Sequence, residues 1–238
     1  MLTDRPNAIQ SGRLDQTIHL PSTSKLELIA FITKELPLWR DHPDRHNTLG
    51  ETKLTEQLCE HLNSAAYYSD VWNHVQFRTE TSDEVHGGRK IDLTVKPLAA
   101  VFIIEGRRHT QFDALFPIEC KRLPTPKEKD RDEREYVTSE TSTTGGIQRF
   151  KFGHHGAAHN FAAMIGYVQE QSFPYWLDKV NSWILDLAAR AKSDWSNSEI
   201  LKLLNDDSAT GTSTFSSRHE RKGGLDVCEL QHLWVRMH

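Results

Sequence analysis

Two short stretches of alternating polarity, each with charge on one face, constrain this chain more than anything else in it. In Arg89-Lys90-Ile91-Asp92-Leu93-Thr94-Val95, the residues Ile91, Leu93 and Val95 alternate with Asp92 and Thr94. In Phe116-Pro117-Ile118-Glu119-Cys120-Lys121-Arg122-Leu123, Phe116 and Ile118 fall on one parity, and Glu119 and Lys121 on the other. Alternation of this kind predicts strands, and residues two apart in a strand share a face. Glu119 and Lys121 therefore lie side by side, with Ile118 and Cys120 turned the other way. If the strands are neighbours, Asp92 joins them, and two carboxylates and an ammonium share one small space. Carboxylates gathered like that repel one another unless a divalent cation sits between them. The lysine beside them can then orient or deprotonate a water.

The 238 residues suit one domain with some elaboration. With 37% hydrophobic and 26% charged residues there is material for a core, in a chain too polar for a membrane protein. No apolar run is long enough to span a bilayer, and Met1-Leu2-Thr3-Asp4-Arg5-Pro6 has no signal-peptide pattern. A cytoplasmic protein with no membrane partner is expected. Cys59, Cys120 and Cys228 are scattered, without zinc spacing, and read as buried reduced thiols. A formal net charge of −4 gives little non-specific attraction to nucleic acid. Only a phosphate-facing cleft needs local positive charge, and Arg89, Lys90, Arg107, Arg108, Lys121 and Arg122 all fall around the two strands.

Residues 1–22 read as a poorly ordered arm, and 23–238 as one folded domain. A helix is predicted over Ser24–Trp39, ended by Pro37. A second, over Glu51–Asn63, carries Leu54, Leu58 and Leu62 as an apolar stripe. Glu51 falls on that stripe, while Glu56 and Glu60 do not. A carboxylate there either favours the helix N-terminus or reaches a site from the helix, and Glu51 is the better candidate than Glu56. Strands follow at His74–Thr81, Lys90–Val95 and Phe116–Arg122, with Ala100–Ile104 forming a hairpin with the third. The charged run Pro124–Glu135 reads as a solvated loop or exposed helix face. Thr143–Gly153 leads by glycine into a helix, Phe161–Val168 is a buried strand, and Trp176, Val180, Trp183, Leu187 and Ala191 mark an amphipathic helix. Asn197–Leu204 suggests a shorter helix, and Leu225–Val235 a closing strand.

The Asp92 strand, the insertion and the Glu119-x-Lys121 strand resemble the PD-(D/E)xK superfamily of restriction endonuclease-like nucleases. The order helix, three strands, helix, strand is similar to that family's αβββαβ core over roughly residues 50–170. The resemblance implies an α/β fold: a central mixed sheet flanked by helices, here with C-terminal helices and a closing strand added. It implies a metal-dependent endodeoxyribonuclease that hydrolyses phosphodiester bonds. Asp92 and Glu119 would hold Mg²⁺, or Mn²⁺ in its place, with the backbone carbonyl of Cys120 as a further ligand. Lys121 would position the attacking water, Glu51 would reach the site from the first helix, and Gln148 or Arg149 would contact the scissile phosphate. Tyr136-Val137, Gly146–Phe150, Met164–Val168, Ser217–Arg221 and His232-Leu233-Trp234 resemble a bacterial restriction-type branch found beside anti-phage defence genes. No Gln-x-x-x-Tyr follows the third strand in register, since Phe152 stands four after Gln148, so the DNA-repair exonuclease assignment does not transfer.

Other constellations are weaker. His154, His155 and His159 lack an acidic or cysteine partner at zinc spacing and read as surface or substrate-contacting histidines. Ser217, His219 and Arg221 share a strand face and either touch phosphate or form a polar strand end. There is no nucleophile elbow and no phosphate loop with Lys-Ser/Thr, so ATP hydrolysis would have to come from a partner. A helicase or ATPase-type sensor, or self-assembly, is the expected partner, with DNA as substrate and RNA as the alternative. The rival from another class is a catalytically silent member of the same fold that binds nucleic acid or protein.

Overall fold

The computed structural model describes residues 16–127, 131–140 and 142–238. Residues 1–15 of the expected arm (1–22), and residues 128–130 of the charged run, lie outside the described residues. Of the seven arm residues that are described, 16–22, which the sequence leaves without structure, five form strand β1 (Gln16–Leu20), whose Ile18 and Leu20 pack on the core. Helix α1 (Ser24–Arg40) runs through Pro37 rather than ending at it. Tertiary anchors outweigh the proline: Trp39 is buried, and Arg40 donates to the carbonyls of Thr210 and Arg236 at 2.9 and 3.1 Å.

Helix α2 (Glu51–Tyr67) buries Leu54, Leu58 and Leu62, as their spacing predicts. Strands β2 (Val75–Ser82), β3 (Lys90–Pro97), β4 (Ala100–Ile104), β5 (Arg107–His109) and β6 (Phe116–Leu123) follow. β4 does not pair with β6, as the sequence suggests, but with β1 in parallel and β5 in antiparallel, in a small sheet of its own. The reason is local. Ile104 pairs with Arg107, and Glu105 and Gly106 between them both have positive φ, 52° and 78°. Two central residues of that kind close the tight turn that hairpins prefer.

Helix α3 (Gly146–Lys151), strand β7 (Phe161–Val168) and helix α4 (Phe173–Ala188) come next, the last with Trp176, Val180, Trp183 and Leu187 buried. The expected short helix over Asn197–Leu204 is one 3-10 turn (Asn197–Glu199), and the chain then enters strand β8 (Lys202–Asp207). Strands β9 (Thr212–His219) and β10 (Cys228–Arg236) complete the described chain, so its C-terminal addition is mostly sheet rather than helix.

The main sheet is mixed and runs β2-β3-β6-β7-β10-β9-β8. β6, β7 and β10 are parallel, while both outer pairs on each side are antiparallel. α1 and α2 cover one face, over Phe77, Leu93, Val95, Ile118, Cys120 and Ile165. α3 and α4 cover the other, over Leu123, Met164, Leu230 and Trp234. The protein is thus α/β with helices on both faces of the sheet. Among the described residues no helix is long and apolar enough to cross a membrane.

Candidate active site

β6 pairs with β7 from Ile118 to Leu123, but with β3 only at Leu93↔Ile118, Thr94↔Pro117 and Val95↔Phe116. Beyond Ile118 the two strands part and β6 has an open edge. N–H groups two residues apart along a strand point to the same edge, and two carboxylates meet them there. Asp92 Oδ2 accepts from the Cys120 N–H at 2.9 Å, and Glu51 Oε2 from the Arg122 N–H at 3.1 Å. A buried donor left without a partner costs about 1–3 kcal/mol, so these bonds hold both side chains along the gap. Glu51 comes from the first turn of α2 and reaches across to β6, whereas Glu56 pairs with Lys53 on the surface.

The Lys121 ammonium lies where the acids converge. Its Nζ is 3.0 Å from Glu119 Oε1, 3.2 Å from Glu51 Oε1 and 3.7 Å from Asp92 Oδ2, and it donates to the Cys120 carbonyl at 3.1 Å. Glu119 is fully buried, and its other partners are Arg149 Nη1 on Oε1 and His155 Nδ1, 3.2 Å from Oε2. Close packing places α3 here: a Cβ on Gly146 would stand 2.4 Å from Met164 Cε and 2.8 Å from the Tyr136 carbonyl. Only glycine lets the helix that carries Arg149 sit this low on the sheet.

Environment pushes the two strand carboxylates in opposite directions. Partial burial, with the Glu119 charge, raises the Asp92 carboxyl to about 7, against Lys121 and the Cys120 N–H. Burial would also raise Glu119, but Lys121, His155 and Arg149 outweigh it and hold that carboxyl well below the usual range. Lys121 is raised well above an ordinary lysine, because Glu119, Asp92 and Glu51 together exceed the opposing effect of burial. It therefore stays protonated here and can donate but not accept. Protonated, it is suited to orienting a water, one of the two roles the sequence leaves open to it.

Asp92, Glu119, Lys121, Glu51, the Cys120 carbonyl and Arg149 are thus brought together. Gln148 precedes Arg149 on α3, and its Oε1 accepts from the Ser139 N–H at 3.0 Å, which ties a loop to the helix and leaves its amide Nε2 as the group that could meet a phosphate. His155 and His159 are buried rather than on the surface, His155 against Glu119 and His159 at 3.5 Å from Glu84. Glycines around them hid this, since they give the segment a loop-like pattern with no apolar period. Ser217 and His219 are also buried. They belong to a hydrogen-bonded chain running Trp234, Tyr136, His232, Ser217, His219, Glu199 and Lys151, with links of 2.6–3.3 Å. Glu135 in the charged run is buried as well, paired with Arg131, while its carbonyl accepts from Gly146. The three cysteines are free and buried, as expected.

Among the described residues no group of three or more His, Cys, Asp or Glu side chains encloses a metal-sized point. Mg²⁺ does not need such a cage, since it is commonly held by one or two carboxylates and keeps several waters. Asp92 fits that habit: its side chain is 28% exposed, and it faces a small cleft lined by Glu51, Thr52, Thr55, Glu56, Thr79 and Glu80. The hard oxygen donors converging on one ammonium are also the donor set that a divalent cation prefers. No family model, curated protein or solved structure matches this chain.

Proposed function

We propose that this chain is a metal-dependent nuclease that hydrolyses phosphodiester bonds in DNA. The observation that carries the reading is the convergence of Asp92, Glu119, Glu51 and Lys121 where β3 and β6 part. The element order α2, β2, β3, β6, α3, β7, with β4 and β5 inserted, is consistent with the restriction endonuclease-like core that the sequence resembles. A bound Mg²⁺ would lower the pKa of a coordinated water and offset the charge that builds on the phosphate. Asp92 and Glu119 would hold the cation, together with the Cys120 carbonyl. Lys121, kept protonated, would orient the water and donate to the phosphoryl oxygens as negative charge develops. Arg149 would exchange part of its contact with Glu119 for the scissile phosphate. Glu51 would fix Lys121 through their contact at 3.2 Å. Recruitment by a helicase or ATPase-type partner, or by self-assembly, would supply the DNA affinity that a chain of net charge −4 lacks. A role in bacterial defence rests on the sequence resemblance.

The test is direct. Purified protein is incubated with plasmid, single-stranded DNA and RNA in Mg²⁺, Mn²⁺ or EDTA, beside a Glu119→Gln control. Cleavage of DNA that needs the metal and Glu119 supports the reading. Metal-independent cutting, or a fully active Glu119→Gln protein, defeats it. DNA binding without cutting under every condition would favour the silent member of the fold.

A further inference from the structure

The partner of Glu119 that the metal reading does not use is His155. Its surroundings are built to hold it. The N–H groups of His154 and His155 both donate to the Arg149 carbonyl, at 2.7 and 3.0 Å, so the segment folds back on the end of α3. Gly156 then turns the chain with φ +61°, and a Cβ there would lie 2.8 Å from Pro117 Cγ. The loop between β2 and β3 grips both flanks. Asp83 Oδ2 accepts from the Gly156 N–H at 2.8 Å, and Arg89 Nη1 donates to the His154 carbonyl at 3.1 Å. Asp83 is itself buried, and its Oδ1 accepts from Val85 and His86 N–H at 2.9 and 2.8 Å.

The imidazole is 3% exposed, with Nδ1 at 3.2 Å from Glu119 Oε2. An ionised carboxylate can only accept, so Nδ1 carries the hydrogen. Lys121 and Arg149 both crowd the other oxygen, Oε1. We infer that His155 is a positioning residue: clamped by Asp83 and Arg89, it fixes the carboxylate plane of Glu119 against the pull of Lys121 and Arg149, so that Glu119 stays poised for a divalent cation. This rests on the nuclease reading and adds to it a residue and a loop that lie outside the acidic pair and its lysine. Groups that orient a ligating carboxylate typically matter by about 10–100-fold in metal affinity or activity.

The experiment compares His155→Asn with His155→Gln. The asparagine amide carries an N–H near the Nδ1 position, while the glutamine amide extends past it toward that of Nε2. Steady-state cleavage of plasmid and Mn²⁺ affinity by calorimetry in the absence of DNA are measured, with melting curves for each protein. His155→Gln is expected to lower kcat about 10–100-fold and weaken Mn²⁺ about tenfold, with KM for DNA unchanged. His155→Asn is expected to regain most of both. Asp83→Ala, which touches no group of the site, is expected to lower kcat about tenfold in the same way. Equal behaviour of the Asn and Gln variants, or wild-type kcat and Mn²⁺ affinity in His155→Gln, overturns the positioning role. An inactive Glu119→Ala beside a fully active His155→Gln overturns that role alone, whereas a fully active Glu119→Ala overturns the nuclease reading and this inference with it.

Discussion

Asp92 Oδ2 and the Cys120 N–H share a 2.9 Å hydrogen bond across the gap where β3 and β6 cease to pair. The side chain continues by one bond a ladder that the backbones have abandoned. Its structural and electrostatic parts can be separated. Asp92→Asn keeps a carbonyl oxygen for Cys120 and removes the charge. It should melt within a few degrees of wild type in EDTA, with cleavage reduced by about 100-fold or more. Asp92→Ala leaves the donor unpaired and should lose a further 1–3 kcal/mol or so of stability. Denaturant curves and rate assays on the pair check this, and an Asn variant as unstable as Ala would show that the bond does not hold the edge.

Glu51 meets the next donor along the same edge, the Arg122 N–H, as well as Lys121. Glu51→Gln retains an oxygen for Arg122 but gives up the charge facing the ammonium. Cleavage should fall about 10–100-fold while stability stays within roughly 0.5 kcal/mol. One melting curve and one rate measurement suffice. A loss of stability with intact activity would return Glu51 to a helix-terminus role.

Lys151 and Glu199 form an ion pair at 2.6 Å in which both side chains are 1% exposed. Truncating one member of such a pair strands the other in a low-dielectric interior. Lys151→Met should therefore cost about 3–5 kcal/mol. Urea unfolding measures it, and a change under 1 kcal/mol would mean that His219 or water fully replaces the ammonium.

Glu84 supplies a pH signature. His159 and the Ala114 N–H hold its carboxyl down at about 2 against the effect of burial, from an ordinary value of 4.5. Because the folded-state value is depressed, the stabilisation is complete above about 4.5 and is lost as pH falls toward 2. Glu84→Gln should thus be less stable than wild type at pH 7, with the difference shrinking below about pH 4.5. Urea midpoints at pH 7, 4 and 3 follow it, and a gap that stays constant across them would rule out a depressed Glu84.

The strands that build the centre were legible because one face of each is apolar: Leu93, Val95, Ile118 and Cys120 point into the core beneath α1 and α2. Period two then dictated that Glu119 and Lys121 share the opposite face. The stripe of α2 was equally plain, and it carried Glu51 to the right end of the helix. β8 was unreadable for the converse reason. Leu203 and Leu204 are 55% and 58% exposed at the sheet edge, so no buried face imposes a period. Only the end of β9, at Ser217 and His219, was legible as strand, because its earlier part is built of small hydroxyl residues, with Ser213 and Ser217 buried and hydrogen-bonded. Arg149 was named through the family resemblance, whereas His155 joins the site through a contact 36 residues from Glu119 in sequence that the sequence did not signal. A short glycine-rich segment gives no periodic sign of where its side chains will end.

The helix that carries Arg149 has only six residues, too few to stand alone. Its last residue, Lys151, is moored to Glu199 and to the Glu220 carbonyl, in a part of the chain far downstream. The 3-10 turn before β8 and the chain just past β9 are therefore the keel of that helix rather than cargo added behind it. A fragment cut after residue 170 would lose that mooring, uncover the β10 side of β7 and let Arg149 drift from Glu119. In this protein the boundary of the working unit lies at the far edge of the sheet, well past the residues that would do the chemistry.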